Sequence, residues 1–147
     1  MAIPSTLDEF RAYVEKFEAR CHDVVSLHGG RIIKSLGDSV LFVSDDAVRA
    51  LDIADGIIQV IGRDARMPDV RVGLASGGVV MRMGDVFGRT VNLASRLTAL
   101  ANPGTVMVDS DTAKALEGHP DFALDVERTR AVRGMGLVRP GVVRRTR

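Results

Sequence analysis

Apolar residues at Leu7, Phe10, Val14, Phe17, Cys21, Val24 and Val25 recur at steps of three and four, the spacing that lines one face of an α-helix. The pattern predicts a helix over residues 5–28, which Ser5 or Thr6 can cap and Gly29-Gly30 stops. The periodicity then changes. Two β-rich runs, Ile32 to Leu36 and Val40 to Val43, flank Gly37-Asp38, which predicts a hairpin with Asp38 at its tip. Asp45-Asp46 can cap a second helix whose apolar face is Ala47, Ala50, Leu51, Ala54, Ile57, Ile58 and Ile61, and Pro68 breaks the chain after it. Val70, Val72 and Leu74 alternate as a strand, and Gly77-Gly78 marks a bulge or close backbone approach ahead of Val79-Val80-Met81. A glycine-flanked acidic turn at Asp85 runs into a third helix that ends near Asn102-Pro103-Gly104. Val106-Met107-Val108 reads as a short buried strand, Ser110 opens a short helix through Leu116, and residues 122–126 and 138–143 are weaker strands. Helices and strands interleaved with a hairpin, without a regular βαβ period, predict an α+β domain on a mainly antiparallel sheet.

Composition narrows the classes. A chain of 147 residues with 46% hydrophobic content is expected to form one domain with a substantial core. No apolar run reaches the length of a membrane span and no basic-then-apolar leader opens the chain, so a cytoplasmic location is the expectation. The single cysteine, Cys21, has no internal disulfide partner and falls in the apolar stripe of the first helix, which predicts packing over reactivity. His22, His28 and His119 show no metal-ligand spacing. The net charge of +1 hides an asymmetry: residues 128–147 carry seven arginines and no acid. That tail suits either a solvated edge or attraction of polyphosphate. Five Phe and one Tyr form no interleaved basic-aromatic surface, so nucleic acid is not an expected partner.

The chemistry concentrates in two blocks. In residues 84–96, Asn92 and Arg96 lie four apart on one helix face, downstream of Asp85. A guanidinium suits phosphate oxygens, an amide adds a positional hydrogen bond, and a carboxylate accepts from an exocyclic base amine, so the block fits a nucleotide site. The D-x-x-G-x-x-V-N-x-A-x-R pattern resembles the stretch of class III nucleotidyl cyclases (adenylyl and guanylyl cyclases) that carries base-selecting and transition-state residues. In residues 30–43, Lys34 interrupts a strand that otherwise reads as buried, where a cation needs a partner. The K-x-x-x-D spacing of Lys34 and Asp38 resembles the same family, in which the Lys contacts the adenine ring and the Asp is one of two metal-binding carboxylates.

The resemblance covers residues 5–144 and implies a ferredoxin-like cyclase fold. It also implies conversion of ATP to 3′,5′-cyclic AMP and pyrophosphate with two Mg2+ or Mn2+ ions, at a site shared by two protomers of a homodimer. Arg96 would stabilise transition-state charge and Asn92 would orient the ribose. Val132-Arg133-Gly134-Met135-Gly136 looks like the family's C-terminal strand segment, which gives Arg133 a role at the triphosphate. Adenine presents an amine donor beside a ring-nitrogen acceptor, so Asp85 with Lys34 complements ATP, whereas guanylyl cyclases typically place Glu and Cys there. One departure stands out. The family's first strand carries the other metal-binding Asp, and that position falls before Met1; Met1-Ala2-Ile3-Pro4 holds no carboxylate. The expectation is therefore an N-terminally incomplete cyclase domain, with an inactive pseudo-cyclase that binds nucleotide or a partner protomer as the alternative.

Overall fold

The stripe of apolar residues near the N-terminus forms α1 (Leu7–Leu27), which buries Phe17, Cys21, Val24 and Val25 and leaves Leu7 and Phe10 exposed. The computed structural model describes residues 7–146, so the predicted cap at Ser5 or Thr6 lies outside the described residues. Next, β1 (Arg31–Leu36) and β2 (Ser39–Val43) pair antiparallel around the Gly37-Asp38 turn, as predicted. Their register shifts between Ile32 and Lys34, so Ile33 is an extra residue that bends the strand.

A carboxylate starts the second helix. In α2 (Ala47–Gly62), Asp46 accepts from the Arg49 backbone N–H at 2.8 Å, a cap that contributes about 1 kcal/mol. Ile53, Ile57 and Ile61 of α2 join the α1 residues in one core, against which Ile32, Val40 and Phe42 of the hairpin pack. Ile53, absent from the predicted apolar face, is completely buried. Burial within this core pushes the Cys21 thiol up to about 12, so it packs as a neutral side chain, as the sequence implies. Beyond α2, Asp64 accepts from Lys16 Nζ at 3.3 Å and Arg20 Nη1 at 3.4 Å, tying the following loop to α1. These elements form one compact unit, which ends at Val70.

The second unit starts at Arg71. It contains β3 (Val72–Leu74), β4 (Val80–Arg82), β5 (Asp85–Phe87), α3 (Arg89–Leu100), β6 (Val106–Val108), α4 (Ser110–Leu116), β7 (Phe122–Val126), β8 (Arg130–Val132), β9 (Gly136–Val138) and β10 (Gly141–Arg145). Four strands make a sheet in the order β3-β6-β10-β7, antiparallel except for the β3-β6 pair. The hairpins β4-β5 and β8-β9 pair only within themselves. Leu93, Leu97 and Ala101 of α3 form a core with Met107, Val132 and Val138.

Gly73 lets α3 lie directly on β3. A Cβ there would fall 2.5 Å from the Ala94 carbonyl oxygen and 2.6 Å from Thr98 Oγ1, closer than any real side chain approaches. The strand predicted over 138–143 is in fact two. Pro140 interrupts it, because it has no N–H for the ladder, while its carbonyl accepts from the Glu127 N–H at 2.9 Å.

Candidate active site

The candidate residues divide between the two units. Lys34 and Asp38 sit on the β1-β2 hairpin; Asp85, Asn92, Arg96 and Arg133 belong to the second unit.

Asp38 occupies the two-residue tip as predicted and is exposed. For Lys34 the burial read from the surrounding apolar run does not hold. It pairs with Leu41 just past the bulge and is exposed, because helix and core cover one face of a two-stranded ribbon and Lys34 points away from the covered one. Among the described residues no three His, Cys, Asp or Glu side chains are grouped to hold a metal ion. Asp38 therefore belongs to no such group.

The predicted turn at Asp85 is a strand instead. The chain reverses one step earlier, at Met83-Gly84, where φ values of 53° and 80° make a two-residue hairpin turn of the kind that matches strand twist. Asp85 then opens β5 opposite Arg82, and its carboxylate accepts from the Val86 N–H at 2.8 Å. Val86 is buried, which anchors this strand, whereas all three residues of β4 are exposed. The segment between β3 and the hairpin is pinned from two sides. The Ser76 N–H donates to Asp109 Oδ1 at 3.3 Å, and Thr90 Oγ1 donates to the Gly78 carbonyl at 2.9 Å.

Gly88 links β5 to α3, with the Asn92 N–H donating to its carbonyl at 3.2 Å. Asn92 and Arg96 are both exposed, while Leu93 and Leu97 alternate with them as the buried pair. The amide and guanidinium therefore share one solvent-facing side of a helix that is fixed from behind, the arrangement the four-residue spacing predicts. Arg133 is not in a strand as the sequence suggested. Residues 133–135 form the tip of the β8-β9 hairpin, and Arg133 is exposed there. The Met135 N–H closes this turn on the Val132 carbonyl at 2.9 Å.

Sequence reasoning missed three supports of the site. Gly73 seats α3, and its only signal is a glycine between two β-branched or aliphatic strand residues, Val72 and Leu74. Asp109, 5% exposed, caps α4 by accepting from the Thr112 N–H at 3.1 Å while also holding Ser76. Arg89, the first residue of α3, donates from Nη2 to the Met135 carbonyl at 2.7 Å, a contact between residues 46 apart that no local pattern announces.

These features coincide with a known family. The model of the adenylate and guanylate cyclase catalytic domain matches residues 8–143. An adenylate cyclase of Glutamicibacter nicotianae is 39% identical across 86% of this chain and 32% of its own length. An adenylate cyclase of Streptomyces coelicolor is 40% identical across 94% of this chain and 43% of its own. The chain thus spans less than half the length of these curated relatives. Among solved structures, the catalytic core of a rhodopsin-guanylyl cyclase with converted specificity, in complex with ATPalphaS, superposes with a TM-score of 0.87 at 25% identity, over 97% of this chain and 87% of that one. The α+β fold is that of class III nucleotidyl cyclases. Within the described residues no helix is long and apolar enough to cross a membrane. With the motif on β5 and α3, the fold and the relatives in agreement, the chain belongs to the family of adenylate and guanylate cyclase catalytic domains.

Proposed function

We propose that residues 1–147 act as one adenylyl cyclase catalytic domain, which converts ATP to 3′,5′-cyclic AMP and pyrophosphate. The observation that carries this reading is the run from Asp85 through Gly88 into α3, whose exposed side presents Asn92 and Arg96 together. The ribose 3′-oxygen forms a bond to the α-phosphorus as the bond from that phosphorus to the β-phosphate oxygen breaks, and pyrophosphate leaves. Arg96 stabilises the negative charge that builds on the phosphoryl oxygens, and Asn92 orients the ribose. Both act by fixed electrostatics, the larger part of catalysis for such transfers. Asp85 accepts from the adenine amine and Lys34 donates to the ring nitrogen, which selects ATP over GTP. Arg133 binds the triphosphate.

Mg2+ or Mn2+ would supply Lewis-acid activation, with Asp38 as one ligand. The reading includes a second cyclase protomer, with the site completed between the two chains. Support for a shared site comes from the exposure of Lys34, Asp38, Asn92, Arg96 and Arg133, which leaves each available to a substrate held between chains.

The test is kinetic. In a protein extended to the length of its cyclase relatives, Arg96→Ala and Asn92→Ala are expected to lower kcat by about a hundredfold while KM changes little, because their contacts strengthen as charge develops. Circular dichroism checks that the fold is retained. A purely KM effect demotes both residues to ground-state binding, and no effect makes them an ordinary solvated helix face.

A further inference from the structure

Arg89 stands on the same side of α3 as the proposed catalytic pair, since positions 89, 92 and 96 are spaced three and four apart. Its guanidinium is turned from that face to the β8-β9 hairpin, where Nη2 donates to the Met135 carbonyl at 2.7 Å. The hairpin is also held from below. Val132 and Val138 are buried in the core built on Leu93 and Leu97, and Met135 packs against the same cluster. Packing thus holds the strands of the hairpin and the Met135 side chain, and the Arg89 bond adds a polar tie from α3 to the backbone of the turn. Arg133 lies two residues from the bonded carbonyl within that turn.

We infer that Arg89 is a positioning residue: by clasping the Met135 carbonyl it sets the β8-β9 tip so that Arg133 is presented at the head of the Asn92–Arg96 face, where it can engage the polyphosphate of a nucleoside triphosphate. Two physical points favour this over a passive surface contact. A two-stranded hairpin is marginal by itself, and its tip, without a bond to a rigid element, samples many orientations. A guanidinium has five donors, so one N–H committed to a carbonyl leaves charge and further donors in place, and the first turn of α3 is a rigid mount. The role rests on the cyclase reading of the site, and it predicts that Arg89 acts on polyphosphate binding through Arg133.

The experiment titrates the full chain with ATP and with AMP in the presence of Mn2+, by calorimetry. Arg89→Ala is expected to weaken ATP binding about tenfold, the scale of a hydrogen bond to a charged group, and to change AMP binding by less than about twofold. In an Arg133→Ala background the same change should add less than about twofold, because the residue it acts through is gone. Arg89→Lys, which keeps one long-reaching donor, should recover most of the ATP affinity and guards against a folding defect in the alanine variant. Equal losses for ATP and AMP, or a full tenfold loss in the Arg133→Ala background, would overturn the inference and leave the nucleotide site intact. An unaltered chain that binds neither nucleotide would overturn the site reading itself, and the inference with it.

Discussion

At the scale of single residues, the proposed chemistry divides into base reading and phosphate handling, and the two are separable by experiment. In that proposal Lys34 donates and Asp85 accepts, the complement of adenine's ring nitrogen and amine; guanine reverses those edges. In a protein of full catalytic length, the double change Lys34→Glu/Asp85→Cys should lower kcat/KM for ATP more than for GTP, because it leaves adenine's donor and acceptor unmatched. An unchanged ratio of the two values would remove both residues from the base site. A different residue should reveal itself through pH. Asp64 is held down to about 2 from 3.8, first by the Arg66 backbone N–H that donates to it at 3.0 Å and then by Lys16, against the opposing effect of burial. A carboxylate with a lowered folded pKa stabilises the fold above its unfolded value and loses that contribution as pH falls through the folded one. Asp64→Asn should therefore melt at a lower temperature than the unaltered chain above about pH 4, and the difference should close as pH approaches about 2. A gap that persists at the acid end would mean that the ionised carboxylate is not what ties this loop to α1.

At the scale of elements, what local chemistry announces was legible and what distant packing decides was not. The β1-β2 hairpin and α2 follow from a Gly-Asp turn and an Asp cap, signals that operate within four residues, and both form where the pattern puts them. The placement of Asn92 and Arg96 on one side of α3 was equally legible, because it depends only on helix geometry. The β8-β9 hairpin was not: its residues are arginine-rich with no clean alternation, and its strands exist because Val132 and Val138 reach the core under α3. Asp85 read as a turn because Gly84 and Gly88 bracket it, yet Met83 takes the left-handed conformation that shifts the reversal one residue earlier. Gly73 exposes this limit best, since nothing near it in sequence says that the Ala94 carbonyl lies where a side chain would go. Gly73→Ala should lower the urea midpoint by an amount equivalent to about 1–3 kcal/mol, because the atoms it meets are helix backbone and cannot swing aside. A midpoint within error of the unaltered chain would show that α3 shifts on β3 without cost.

At the scale of the whole molecule, the candidate functions are unevenly distributed, and that distribution sets the last prediction. In the proposed reading one chain supplies base readers at Lys34 and Asp85, a ribose and transition-state pair at Asn92 and Arg96, and a phosphate contact at Arg133, while among the described residues no three His, Cys, Asp or Glu side chains gather to hold a metal ion. Two divalent ions held a few ångströms apart need several oxygen ligands, and a single exposed carboxylate holds neither in place. If a partner protomer completes the ion site, as proposed, the 147-residue chain alone should form little or no cyclic AMP from ATP while retaining its substrate contacts. Mixing it with a second cyclase protomer in which the residues corresponding to Asn92 and Arg96 are replaced by alanine should restore one working site, with ions held by the partner and ribose, base and phosphate contacts supplied by this chain. The mixture is expected to make cyclic AMP where neither component does, and the signal should vanish when this chain carries Arg96→Ala. Sedimentation must first show that the mixed dimer forms. A verified dimer that stays silent would favour a domain that binds nucleotide or a partner without turnover, and robust turnover by the purified chain alone would overturn the proposal that a partner completes the ion site.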